Sequence, residues 1–178
     1  TWSAPRTISR SNRVGTPHLA VAPDGSAVVA WHGQAGRRTQ IWSATRGATG
    51  AWTDAAPLSP AVHHALDPGV AAFADGTGAV GWVESGRGGP THVSVARLVD
   101  GDWDTPTTVA SPDEAPREMS RPGRAEMAPG LVFSPDGRLS ISWAAGSDGV
   151  TQVFTATADR SGRFTPIRPL SRHGQQAG

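Results

Sequence analysis

The stretch TPHLAVAPDGSAVVAWHG at Thr16–Gly33 decides the fold, because its pattern returns as DPGVAAFADGTGAVGWVE at Asp67–Glu84 and APGLVFSPDGRLSISWAA at Ala128–Ala145. Each copy opens near a proline, continues as a mostly apolar run, passes an Asp-Gly pair and ends its second run near a tryptophan. Two strand-like runs around Asp-Gly predict a β-hairpin, since glycine accepts the positive φ that tight hairpin turns require. We therefore expect three equivalent hairpins.

Each hairpin is followed by two more strand-like segments. The third segments are TQIWSATR, THVSVARL and TQVFTATA, and the fourth segments are WTDAAPLS, WDTPTTVA and FTPIRPLS. The N-terminal WSAPRTIS is a further copy of the fourth segment. Four short antiparallel strands that recur every ~40 to 60 residues are typical of a β-propeller blade. The predicted fold is all-β: a β-propeller of four-stranded antiparallel blades, with three blades and one extra N-terminal strand.

The repeats also give the domain organisation. The boundaries are a lone outer strand at 1–9, blades at 16–59, 67–110 and 128–171, and a long loop at 111–127. Closed propellers have at least about four blades, so three blades do not close a ring. We therefore interpret the chain as one propeller domain or a half-propeller, and expect a second copy, another chain or a removed segment to complete a ring of six or seven blades.

Composition excludes several classes of function. The net charge is +1, which gives no electrostatic basis for binding nucleic acid. There is no cysteine, so disulfides and thiolate metal ligands are absent. No apolar run approaches the length of a membrane span. All the basic side chains are arginine and there is no tyrosine, a composition that suggests a GC-rich bacterial genome. No cofactor is predicted.

The turn between the third and fourth segments carries a family resemblance. Thr157-Ala-Asp159-Arg-Ser161-Gly-Arg-Phe164 is similar to the Asp-box of bacterial neuraminidase (BNR) repeats, Ser/Thr-x-Asp-x-Gly-x-x-Trp/Phe, with Ser161 in place of the glycine. The corresponding frame from Thr45 to Trp52 lacks the aspartate. With these degenerate Asp-boxes, nearly the whole chain resembles the sialidase-like propellers of bacterial secreted proteins. The resemblance implies a propeller fold, a secreted location and a function related to glycans.

The resemblance further implies a ligand face, built from the loops that join the fourth strand to the next first strand and the second strand to the third. Guanidinium groups on such a face bind carboxylates bidentately, although loops are also polar simply because they are solvated. Trp42 is a second kind of candidate, either stacking on a sugar or packing in the core or at an edge. The candidate ligand-binding residues are Trp42, Arg13, His18, Arg37, Arg38, His63, His64, Arg87, Arg121 and Arg124.

Catalytic and metal chemistry find little support. A sialidase uses a tyrosine nucleophile, and this chain has none. There is no nucleophile-elbow motif and no phosphate loop. The adjacent His63 and His64 point in different directions on an extended segment, so no metal site is predicted.

The leading interpretation is a non-catalytic, lectin-like module that recognises glycan. The alternatives are a protein-interaction scaffold within a larger secreted assembly and a part of a sialidase-like glycoside hydrolase whose tyrosine lies elsewhere. The expected partner is a glycan or a protein, with a homo-oligomer or another chain completing the propeller.

Overall fold

A computed structural model describes residues 4–9, 13–85, 92–110, 128–147 and 150–171. Over these ranges the chain is all-β, as predicted. It forms three antiparallel sheets that follow one another along the sequence. The one helical element in the described ranges is a 3-10 turn at Ala74–Gly76. Trp2 and the predicted loop at 111–127 lie outside the described residues.

The three sheets have nearly the same strand order. The first sheet contains β1 (His18–Val21), β2 (Ala27–Ala35), β3 (Arg38–Arg46) and β4 (Ala56–Pro57), in that order. The second contains β5 (His64–Ala72), β6 (Gly78–Ser85), β7 (His92–Val99), β8 (Asp102–Trp103) and β9 (Thr107–Ala110). The third contains β10 (Gly130–Phe133), β11 (Leu139–Ser147), β12 (Val150–Ala158) and β13 (Arg168–Pro169). The second sheet therefore has five strands instead of the expected four, because β8 and β9 both pair with β7.

The Asp-Gly pairs form the predicted turns between the first two strands of each sheet. Gly25, Gly76 and Gly137 have φ values of 86°, 73° and 78°, which side chains with a Cβ rarely adopt. The Asp24 carboxylate accepts hydrogen bonds from the Ser26 hydroxyl at 2.7 Å and the Ser26 backbone N–H at 2.9 Å. These bonds hold the pKa of Asp24 below its ordinary value.

The outer segment of each sheet is fastened by one recurring pair of bonds. The residue after the repeated aromatic is Thr53, Asp104 or Thr165, and its side-chain oxygen accepts a hydrogen bond from a backbone N–H of the third strand, at 3.0, 2.7 and 3.2 Å. Its own N–H donates to the carbonyl of that same third-strand residue, at 2.8 to 2.9 Å. A position that varies between threonine and aspartate thus keeps one function in all three sheets.

The sheets stack face to face, and two of the repeated tryptophans, Trp82 and Trp143, lie between them. We call the side of each sheet that carries Trp31, Trp82 or Trp143 its tryptophan face. Trp82 packs with Val28 and Ile41 of the first sheet in one buried cluster. Trp143 packs with Val93 and other residues of the second sheet in another. The tryptophan face of each later sheet is therefore covered by the opposite face of the sheet before it, which buries large apolar areas.

Glycines allow the second and third sheets to approach closely. A Cβ placed on Gly69 would lie 1.9 Å from the carbonyl oxygen of Pro129. The guanidinium of Arg97 crosses the same interface and donates to the Arg160 carbonyl at 2.8 Å. Backbone contact and a buried arginine thus join these two sheets in addition to the apolar cluster.

The N-terminal residues 4–9 lie against the tryptophan face of the first sheet. Ile8 packs there with Trp42, Trp52 and Ala55. No strand pairing involves residues 4–9 within the described ranges. Residues 4–9 of the expected N-terminal strand therefore form a packed segment and belong to no sheet, while residues 1–3 lie outside the described part of the chain.

Candidate functional site

In the first and second sheets, residues that precede the proline of the first strand also pair with the second strand. This additional pairing lies at one end of the sheets. In β5 the pairing register shifts between Leu66 and Gly69, where Asp67 has a φ of 50°. This bulge lets His64 to Leu66 pair with the last residues of β6. In the first sheet, Val14 likewise pairs with Gly33 before β1 begins. Arg13 and His64 are thereby placed beside the hairpin between the second and third strands of the first sheet.

A row of contacts along this end begins at Arg13. Its guanidinium donates to the Gln34 side-chain oxygen at 3.2 Å, and the Gln34 amide nitrogen donates to the Gly36 carbonyl at 2.9 Å. Gly36, with a φ of 62°, forms the tight turn to Arg37 and Arg38. The connection between β2 and β3 is therefore a short turn after paired strand, and it places Arg37 and Arg38 near Arg13 at one end of the first sheet.

The row continues onto the second sheet through histidines. The Thr39 N–H donates to His64 Nδ1 at 3.3 Å, so His64 carries its proton on Nε2. The rings of His63 and His92 are 6.1 Å apart between centroids. His92 lies directly opposite Glu84 in the pairing of β6 with β7. We call this set the polar rim, and its members are Arg13, Gln34, Arg37, Arg38, His63, His64, Glu84 and His92.

Glu84 is the most enclosed charged group of the polar rim. Its exposure is 8%, and its carboxylate accepts a hydrogen bond from the indole N–H of Trp82 at 2.8 Å. The Nδ1 atom of His92 is buried and has no hydrogen-bond partner within the described part of the chain. The enclosed carboxylate, the half-buried imidazoles and the arginines of the polar rim together offer both acceptors and donors to a polar ligand.

The sequence candidates divide between the polar rim and other places. Arg13, Arg37, Arg38, His63 and His64 belong to the rim. His18 begins β1, where it pairs with Ala30. Arg87, Arg121 and Arg124 lie outside the described residues.

Trp42 lies on the tryptophan face of the first sheet, opposite Trp31 in the pairing of β2 with β3. The corresponding pair in the third sheet is Trp143 and Phe154, whose rings stack with centroids 6.1 Å apart. Phe154 packs at the interface with the second sheet. Trp42 therefore holds the register position that packs between sheets in the third copy, and its assignment as a ligand-binding residue stays a prediction.

A cavity of about 680 Å³ lies between residues 6–9 and the same face. Its walls include Ile8, Trp31, Trp42 and Asp54, with Gln34 of the polar rim at its margin. In the second and third sheets, the equivalent face is covered by the preceding sheet. We therefore treat the cavity as part of a packing surface and not as the candidate ligand site.

The sequence reasoning missed His92 and Gln34. A signal for His92 was present: the second residue of each third segment is Gln40, His92 or Gln152, and these align in the pairing registers. In the first sheet this position is buried, and the Gln40 amide donates to the Ser59 carbonyl at 2.8 Å. The equivalent register position in each of the three sheets therefore carries a polar residue near the same end of the sheet.

Metal-ligand geometry is not found among the described residues, where no group of three or more histidine, aspartate or glutamate side chains could hold a metal ion. In the same ranges no helix is long and apolar enough to cross a membrane.

Comparisons with known proteins place the fold but not the function. No family model matches the chain, and no curated protein matches it. Among solved structures, it is similar to the Hadza microbial sialidase Hz136, with a TM-score of 0.62 and 15% identity over 86% of this chain and 37% of that one. It is also similar to Zg3597, a family 117 glycoside hydrolase of the marine bacterium Zobellia galactanivorans, with a TM-score of 0.52 and 17% identity over 86% of this chain and 54% of that one.

The chain thus spans between about a third and just over half the length of these two proteins. At this identity the likeness shows the fold alone. The chain has the all-β architecture of antiparallel sheets that is shared with propeller-like glycoside hydrolases.

Proposed function

We propose that this chain is a non-catalytic, lectin-like module of a secreted bacterial protein, that its three sheets are propeller blades, and that it binds glycan at the polar rim. The observation that carries the proposal is the set of hydrogen bonds, ring proximity and strand pairing between Arg13 and Glu84, which gathers donors and acceptors from several chain segments at one end of the sheets. The likeness to a sialidase and to a family 117 glycoside hydrolase supports a carbohydrate as the ligand.

The charge of the rim favours an anionic glycan. Arg13 and Arg37 are exposed and Arg38 is half-buried, so their guanidinium groups can reach a ligand carboxylate. Glu84 is enclosed and already accepts the Trp82 indole N–H. The accessible charge of the arginines is therefore positive, and the imidazole nitrogens add hydrogen-bonding groups for sugar hydroxyls.

The test is a glycan array that includes carboxylated and neutral oligosaccharides, followed by titration calorimetry with the best-bound glycan. We expect binding to a carboxylated glycan that weakens with added salt, because the accessible charges are screened. Arg37→Ala and Arg38→Ala should each weaken binding at least fivefold. Glu84→Gln should leave binding unchanged or strengthen it, because the glutamine oxygen can still accept the Trp82 indole N–H while a charge that repels an anionic ligand is lost.

The matched control is Arg163→Ala, which removes an exposed arginine from the turn at the opposite ends of the third-sheet strands. Its binding should equal that of the unaltered protein. Absence of binding across the array, or an equal loss in the control variant, would reject the polar rim as a glycan site.

A second function is favoured by a separate observation. Large apolar side chains are exposed on both end sheets of the stack, which suits a protein-interaction scaffold. A silent array together with specific self-association would favour that function instead.

A further inference from the structure

The exposed apolar side chains concentrate on the two outward faces of the three-sheet stack. On the tryptophan face of the first sheet, Leu19 is 59% exposed and Val21 is 57% exposed. On the opposite side of the third sheet, Val132, Val153 and Leu170 are 61%, 40% and 64% exposed. We call these two surfaces the first end face and the third end face.

The positions equivalent to the first end face are packed inside the stack. Leu19 pairs with Val29, as Val70 pairs with Val80 and Leu131 with Ile141. Val70 packs into the cluster between the first and second sheets, and Leu131 packs into the cluster between the second and third sheets. The same strand position is therefore an interface position wherever a preceding sheet is present.

The positions equivalent to the third end face are buried as well. By strand register, Val132 and Val153 correspond to Ala71 and Val93 of the second sheet. Ala71 and Val93 are 6% and 0% exposed, and both belong to the cluster that packs on the third sheet. The third end face thus has the form of a surface that covers a tryptophan face.

Three hydroxyl groups of the third end face are already paired. Ser140 and Thr157 share a hydrogen bond at 3.2 Å, and the Thr155 hydroxyl donates to the Ile141 carbonyl at 2.9 Å. Covering these three hydroxyls would therefore leave them with their partners, which lowers the cost of burying a serine- and threonine-containing surface. The exposed Arg168, opposite Thr155 in the pairing of β12 with β13, is the charged group that this contact would have to accommodate.

We propose that two copies of this chain associate head to tail, with the third end face of one copy covering the first end face of the other. This contact between copies would have the same form as the two interfaces inside one chain, between the first and second sheets and between the second and third sheets. If both end faces of each copy are used, the assembly closes as a dimer, because the two contacts are then identical.

The incoming sheet would displace residues 4–9. Ile8 now occupies the part of the first end face beside Trp42 and Trp52. Between the first and second sheets, the position equivalent to that of Ile8 is filled by Leu58 of the first sheet. The equivalent residue of the third sheet is Leu170. Residues 4–9 make no strand pairing in the described ranges, so only side-chain packing opposes their release.

The test is the absolute mass in solution by size-exclusion chromatography with light scattering, over a range of micromolar concentrations. We expect about 37 kDa, twice the 18.4 kDa of the chain. Leu19→Glu and Leu170→Glu place a charge on the first and third end faces, and each alone should return the mass to that of one chain. Both side chains are exposed, so neither change disturbs the core. Val99→Glu is the control, because Val99 is 40% exposed but lies on the second sheet.

Mixing the Leu19→Glu and Leu170→Glu variants should restore association, since one unaltered contact remains between unlike partners. Ile8→Glu should raise the dimer fraction by releasing residues 4–9. A mass that grows with concentration and is lost in both single variants would support the head-to-tail contact in an open chain of copies. A single-chain mass at every concentration, or a dimer that survives either end-face variant, would overturn the proposal.

Discussion

The close approach of the second and third sheets makes Gly69→Ala a quantitative test of their stacking. The added methyl would lie 1.9 Å from the Pro129 carbonyl oxygen and 2.9 Å from Leu131 Cδ1. An unstrained carbon–oxygen contact is about 3.3 Å, so the Pro129 carbonyl would have to retreat by roughly 1.4 Å. Because the obstacle is backbone, rotation of a side chain cannot relieve it. Overpacking of this kind costs about 1 to 3 kcal/mol, which lowers Tm by about 2 to 12 °C in a chain of this size.

The assay is thermal unfolding followed by tryptophan fluorescence and far-ultraviolet circular dichroism. Gly47→Ala is the matched control, since a Cβ at Gly47 meets nothing within 4 Å and its φ is not positive. That change should leave Tm unchanged or raise it slightly, because alanine reduces the entropy of the unfolded chain. A Gly69→Ala protein with the Tm of the unaltered chain would refute the close contact, and an equal loss in both variants would refute the steric explanation.

Three further outcomes are expected. Trp82→Phe should destabilise the fold by about 1 to 2 kcal/mol more than Trp143→Phe in urea unfolding, because the Trp82 indole N–H has an enclosed carboxylate acceptor whereas the buried Trp143 N–H has no partner in the described part of the chain. Ser59→Ala should cost about 1 to 3 kcal/mol by the same method, because the Ser59 hydroxyl accepts the buried Ile41 N–H at 2.9 Å. Serine hydroxyl bonds hold three carboxyl pKa values below 3.8, those of Asp24, Asp136 and Asp159. The unfolded carboxyls take up protons first as the pH falls, so the stability from these bonds is present above about pH 4 and lost through the lower folded-state pKa values. Ser26→Ala should make the urea midpoint less sensitive to pH below 4.

The sequence predicted the hairpins because their determinants are local. Asp-Gly fixes each turn, and alternation places the tryptophans on one face of each sheet. The outer segments pair over fewer residues than predicted, because prolines such as Pro57 and Pro169 have no N–H to donate. In the second sheet, two outer strands stand where one was predicted.

The polar rim was only partly predictable. The arginines and the His63–His64 pair were found because they fall between strand-like segments. The contact of His63 with His92 depends on the bulge at Asp67 and on the register between β6 and β7. Such pairings join residues far apart in sequence, so no local pattern contains them. Trp42 could be placed only once its register equivalence to Phe154 was visible.

The short outer strands also limit association between copies of the protein through the edges of their sheets. A free strand edge presents a row of unpaired N–H and C=O groups, which recruits other strands and seeds aggregation. Here β4 and β13 have two residues each, and both include a proline that has no N–H to donate. A strand from another chain cannot extend such an edge into a continuous ladder of hydrogen bonds. Growth by strand addition is therefore blocked at these two edges, and association on that side is left to flat surfaces, where side-chain shape selects the partner.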